Sequence, residues 1–119
     1  MNIFYVDEDP AIAAQSLCDV HIRKMIIESC QMLSNCYTVL HLCVAPRTQK
    51  DTIRRYSHLG HPCSKWVRKS QDNYKWLLAH SQELAKEYHY RFGRNHFLEN
   101  FINWMIKIPL LVLMGKILM

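Results

Sequence analysis

From Val20 to Leu42 the apolar residues Ile22, Met25, Ile26, Cys30, Leu33, Tyr37 and Leu40 recur at steps of three and four, the period of a helix with one face in a core. Before it, Ile3 to Val6 form a short apolar run that reads as an extended arm. Asp9 as N-cap with Pro10 at the first helical position predicts a helix start. That first helix runs to about Cys18, where Asp19 offers a second cap, and the two helices either stay separate or merge. Residues 44–60, with Pro46, several charges and Gly60, read as a long loop or a short helix within a loop. Pro62 starts another helix with no internal Gly or Pro until Gly93, which supplies the stop, and Phe97 to Ile106 reads as one more short amphipathic helix.

These elements predict an all-α fold: a single compact domain of three to four helices over residues 1–119, with a short N-terminal extended arm. The chain's 119 residues are enough for one core without metal or disulfide staples. Only three glycines and four prolines, and no sustained polar/apolar alternation, argue against a sandwich or barrel. The five cysteines are odd in number and form no C-x-x-C pair, which fits a reducing compartment and an intracellular protein, in a host cytoplasm or with a virion. The N-terminus lacks the basic and apolar regions of a signal peptide. The apolar tail 106–119 is broken by Lys107, Pro109, Gly115 and Lys116, too short and interrupted for a membrane span, and is expected to pack on the core.

Charge is distributed unevenly behind a net +5. Residues 1–20 carry four acids and no base, whereas 47–69 carry Arg47, Lys50, Arg54, Arg55, Lys65, Arg68 and Lys69 against Asp51 alone. A basic loop leading into a basic helix start can follow a phosphate track, where counterion release drives binding. Tyr56, His58, Trp66, Tyr74 and Trp76 interleave with these cations and are candidates for stacking on bases. The plainer alternative is a solvated basic face with Trp66 in the core.

On the helix from Val20, a second pattern runs beside the apolar one. His21, Lys24, Glu28, Gln31 and Asn35 fall at steps of three and four and share a face. Such a line is either the solvent side of the helix or the wall of a cleft. A histidine, a lysine, a carboxylate and two amides in series suit a cleft wall better than the Lys/Glu pairs of an ordinary surface. Glu28, beside desolvating neighbours such as Ile27, would serve there as general acid/base or stabilise a developing cation. His58, His61 and Cys63 form an H-x-x-H-x-C sequence, but Pro62 and the absence of a partner pair weigh against zinc, and no metal or organic cofactor is expected. His96, just past Gly93, is a candidate to reach a cleft or a phosphate.

The segment Cys18 to Glu28, with His21 and then Glu28 seven positions on, resembles the first long helix of pyrimidine-dimer DNA glycosylases of the bacteriophage endonuclease V type. His61-Pro62, Trp66, the run from His80 to Glu87 and the Arg91, Gly93, Asn95, His96 signature are similar to the same family, over about residues 15–96, and the N-terminal M-N-I-F is similar to that of its short phage-encoded members. The resemblance implies an all-helical domain that flips a nucleotide beside a cyclobutane dimer, cleaves the glycosidic bond and nicks the abasic site, with double-stranded, damaged DNA as partner. It implies Glu28 as the catalytic glutamate and the α-amine of Met1 or Asn2 as nucleophile, with Lys24 as a second candidate amine and His21 lining the site. Arg23, Arg47, Lys50, Arg54, Arg55, Lys65, Arg68, Lys69, His61 and His96 are the candidate DNA contacts. Asn2 stands where the family has a small residue after Met, and Ile27 where it has an arginine before the glutamate, so the phosphate contact there passes to Arg23, Lys24 or the 47–69 segment. The rival readings are a non-enzymatic nucleic-acid-binding or virion-associated protein, and an enzyme acting on a free nucleotide through His21, Lys24 and Glu28.

Overall fold

The computed structural model describes residues 2–41 and 59–107, the side chains of 37–41 excepted. The expected 44–60 loop up to residue 58 and the expected packing of the apolar tail from residue 108 lie outside the described residues. Five helices are described: α1 (Pro10–Gln15), α2 (Asp19–His41), α3 (Pro62–Lys69), α4 (Gln71–Phe92) and α5 (Glu99–Lys107). No strand occurs among the described residues, and the expected all-α class holds.

Helix starts follow the predicted chemistry. The Asp9 carboxylate accepts from the Ala11 N–H at 2.9 Å, with Pro10 in the position where a missing N–H costs nothing. At the far end of α4, Gly93 takes φ 69°, a left-handed conformation that suits a residue without Cβ, and its N–H reaches the His89 carbonyl at 2.8 Å. The expected first helix stops at Gln15 rather than near Cys18, so α1 and α2 stay separate.

One prediction needs correction: the segment from Pro62 to Gly93 is two helices. Ser70 is extended (φ −151°, ψ 160°), ends α3, and caps α4 by accepting the Asn73 N–H on its Oγ at 3.1 Å. A serine that can cap wins over helix continuation because the backbone gains an acceptor for an otherwise orphaned donor.

Helix α4 is the centre of the fold and packs against each of the other four, while α2 also meets α3 and α5. The core joins Ile22, Ile26 and Leu33 of α2, Val67 of α3, Leu77 and Leu84 of α4, and Phe101 and Ile102 of α5, all sealed from solvent. Each such side chain contributes about 1.5–3 kcal/mol of burial. Tyr74 also belongs to this core, at 1% exposure, which removes it from the candidate stacking residues. Cys30 and Cys36 are buried thiols held in their protonated form, Cys36 with its pKa pushed up to about 12 by loss of water.

The start of α2 meets the end of α4, so the two run antiparallel. Arg91 clamps that end: Nε donates to Glu87 at 2.8 Å, Nη1 to the Leu17 carbonyl at 2.7 Å and to Asp19 at 3.1 Å, and Nη2 to the Gln15 carbonyl at 3.1 Å. Two of these acceptors are carbonyls left over where α1 ends. Arg91→Ala is expected to destabilise the fold by about 2 kcal/mol, since it strips charge-assisted partners from two main-chain carbonyls. Urea denaturation measures this, and a loss below about 0.5 kcal/mol, the range of an ordinary surface change, would show that the clamp is idle.

Candidate active site

The polar line on α2 is not a solvent face along its length. His21 and Lys24 are exposed, Glu28 and Gln31 are partly buried, and Asn35 is at 0% exposure, with Gln31 Nε2 donating to its Oδ1 at 3.5 Å. The line therefore descends from the surface into the protein. Glu28 stands at the transition, with Oε2 sealed from solvent. Ile27, expected to desolvate it, is instead 46% exposed and turned away, so the burial of the carboxylate comes from tertiary packing.

The N-terminal arm lies against this line. Residues 2–7 are irregular, and their side chains alternate between two neighbours. Phe4 meets the His21 ring at 4.8 Å between centroids, while Ile3 and Tyr5 turn to the other side and line a cleft with Pro62, Cys63, Trp66 and Asn73. Tyr5 packs edge-on against Trp66 at 5.9 Å and at a tilt of 35° against Trp76 at 4.4 Å. The arm is thus a wall shared by the α2 polar line and an aromatic cleft of about 570 Å³.

The Trp76 indole is fixed by donating to the Glu8 carbonyl at 2.9 Å and by stacking on His80 at 4.6 Å. His80 is buried, with Nδ1 3.1 Å from the Pro10 carbonyl, and burial holds its pKa below the ordinary value. The start of α1 is thereby attached to α4, which orients the arm that precedes it. Tyr5 and Asn73 are not singled out by the sequence, and Cys63, weighed there as a metal ligand, instead lines the cleft. An aromatic in a four-residue apolar run carries no periodic signal, and Asn73 carries none as long as Ser70 reads as helix interior.

The predicted DNA contacts divide by position. Arg47, Lys50, Arg54 and Arg55, like Met1, Tyr56 and His58, lie outside the described residues. Lys65 and Lys69 are exposed one turn apart on α3, beside the half-buried Trp66. Arg68 is tucked inward, with Nη2 donating to the Leu59 carbonyl at 2.8 Å and Nη1 sealed from solvent. Arg23 is exposed at the start of α2 and lies over the Phe92 ring at 5.1 Å. His61 is the N-cap of α3, its Nδ1 accepting from the Cys63 N–H at 3.1 Å.

His96 is 6% exposed, accepts the Leu98 N–H on Nδ1 at 3.1 Å, and is wedged between Tyr88 and Phe97. Burial lowers its pKa to about 4, so it is a neutral packing residue in a position that offers no cation to a phosphate. Among the described residues no group of three His, Cys, Asp or Glu side chains is arranged to hold a metal. No described helix is long and apolar enough to cross a membrane.

An inward-running series of imidazole, amine, carboxylate and amides, with the arm packed on its outer end, suits proton transfer and stabilisation of a cation. The neighbouring aromatic cleft suits a planar ring. A family model described as pyrimidine dimer DNA glycosylase matches residues 1–100, which takes in the arm and helices α1 to α4. No curated protein and no solved structure matches the chain.

Proposed function

The chain belongs to the pyrimidine dimer DNA glycosylase family, and on that premise we propose that it is a DNA repair glycosylase with an associated abasic-site lyase, working through an imine to an amine of its own. The observation that carries the proposal is the descent of the α2 polar line from His21, on which Phe4 of the N-terminal arm packs, to the partly buried Glu28.

The α-amine of the arm, at Met1 or Asn2, is the proposed nucleophile. Asn2 is exposed and two residues from Phe4, within a short reach of the α2 line. Lys24 is the second candidate, but it is exposed, without the burial that makes a lysine amine reactive near neutral pH. An uncharged α-amine is available near neutrality because its ordinary pKa is about 8.

The amine attacks C1′ of the damaged nucleotide; the glycosidic bond breaks, its electron pair leaves with the base, and the base takes up a proton. The nitrogen then forms a protonated imine with C1′ as the deoxyribose ring opens and its oxygen is protonated. Loss of a C2′ proton expels the 3′ phosphate and nicks the strand, and water finally hydrolyses the imine to return the amine. Glu28 stabilises the cationic sugar and imine as a carboxylate and relays protons between nitrogen and ring oxygen. His21 lines the approach, and Arg23, Lys65 and Lys69 hold phosphates, together with Arg47, Lys50, Arg54 and Arg55. The aromatic cleft receives a base turned out of the stack, at a cost of a few kcal/mol that is lowest where pairing is already damaged.

An end-labelled duplex holding one thymine dimer, incubated with the protein in EDTA with and without borohydride, tests this directly. A nick without borohydride and a trapped covalent adduct with it are expected, with the adduct mapping by mass spectrometry to the N-terminal residue. Binding with neither nick nor adduct would end the enzymatic reading and leave a DNA-binding protein.

A further inference from the structure

The segment that carries the proposed nucleophile has no secondary structure to hold it. Among the described residues, 2–8 make no main-chain hydrogen bond to one another or to the helices, so their course depends on side chains that reach them from elsewhere. Trp76, on the second turn of α4, reaches the arm twice. Its Nε1 donates to the Glu8 carbonyl at 2.9 Å, and its ring lies 4.4 Å from that of Tyr5. The indole is itself backed by His80, which stacks on it at 4.6 Å. His80 is buried in turn, with Nδ1 3.1 Å from the Pro10 carbonyl, so the same short stretch of α4 also holds the start of α1.

The two holds shorten the free end of the chain. From Tyr5, only residues 1–4 run on to the terminus, a reach of about 13 Å when extended; freed back to Pro10, residues 1–9 would sweep about 30 Å. The local concentration of a flexible tether's end falls roughly as the −3/2 power of its length or faster, so roughly doubling the free length lowers it about threefold or more. Phe4, packed on His21, sets the direction of the short remainder toward the α2 polar line. Resting on the imine reading above, we propose that Trp76 is a positioning residue for the nucleophile: it holds the N-terminal arm at Glu8 and Tyr5 and thereby sets how often the α-amine meets C1′. It acts through the arm, without touching the reacting atoms.

The experiment is single-turnover trapping, with the full chain titrated in excess over a duplex that holds one abasic site, in cyanoborohydride. The amine adds to the C1′ aldehyde, water leaves, and hydride from the reagent fixes the imine as a secondary amine. Trp76→Phe keeps a ring beside Tyr5 and His80 and removes the N–H, while the Glu8 carbonyl, on an exposed residue, passes to water. The saturating rate is expected to fall about three- to tenfold, with the half-saturating concentration unchanged within about twofold. A packing role alone would do the reverse: it removes folded protein, which raises the half-saturating concentration and leaves the saturating rate intact. A folded Trp76→Phe with the native saturating rate overturns the proposal. If that variant does not fold, Tyr5→Ala, a change at a half-exposed arm residue, carries the test; the same fall is expected, and an unchanged saturating rate overturns the proposal. Mass spectrometry of the native adduct adds a separate check, since an adduct at Lys24 would mean that the arm delivers no nucleophile. If the native protein forms no adduct at all, the imine reading falls and takes this role with it. Native trapping without loss in the variants leaves that reading standing and removes Trp76 alone.

Discussion

Glu28→Gln is expected to lower the rate of strand cleavage by about 10²- to 10⁴-fold, the usual contribution of a positioned acid/base, while duplex affinity changes by no more than about twofold. Glutamine has nearly the same shape and can occupy the same partly buried place on α2, but it carries no negative charge and cannot shuttle a proton. Only interactions that strengthen as charge develops on the sugar are lost, so the effect falls on turnover rather than on binding. Single-turnover cleavage of a dimer-containing duplex, together with anisotropy binding of the same duplex, separates the two. Cleavage at the native rate would remove Glu28 from the mechanism. An equal loss of binding and cleavage, with native circular dichroism, would make it a DNA contact instead.

The reasons for assigning Glu28 were only partly visible in the linear chain. The three- and four-residue spacing of His21, Lys24, Glu28, Gln31 and Asn35 identified a common helix face, because that geometry is local to α2. Whether the face was wet or sheltered depends on the helices packed around it, and nothing in α2 itself encodes that Asn35 is buried while His21 is open. The arm shows the same division. Its extended character was legible from a short apolar run before a capped helix, but the contacts of Phe4 with His21 and of Tyr5 with Trp66 join residues far apart in the chain. Ser70 is the opposite case, where a local cap signal exists in the chain. A serine followed by Gln71, Asp72 and Asn73 has the polarity of a helix start, yet the strong helix formers on both sides masked it. One wall of the aromatic cleft depends on that break, since Asn73 reaches the end of α3 from the first turn of α4.

Acidification provides the second large effect, because two histidines are buried as neutral rings. His96 Nδ1 accepts the Leu98 N–H, so its protonation would turn an accepting nitrogen into a donor facing another donor. His80 faces the Pro10 carbonyl with Nδ1, which must donate to it, and its Nε2 is sealed from solvent with no hydrogen-bond partner among the described residues; protonation there places a charge in the core. Both folded-state pKa values lie below the unfolded value, His96 at about 4. The unfolded chain therefore binds more protons between about pH 6.5 and 4, and stability present above 6.5 is lost progressively as pH falls through that window. For His96 alone the loss is about 3 kcal/mol, with His80 adding in the same direction. Urea denaturation of the native protein and of His96→Asn at pH 7 and pH 4 isolates this term. Asparagine can still accept from the Leu98 N–H but does not titrate, and the carboxylates common to both proteins cancel in the comparison. The variant is expected to lose markedly less stability on acidification than the native chain. Identical losses would mean that His96 takes up its proton without cost, and that the ring is not confined between Tyr88 and Phe97 in solution as it is in the fold.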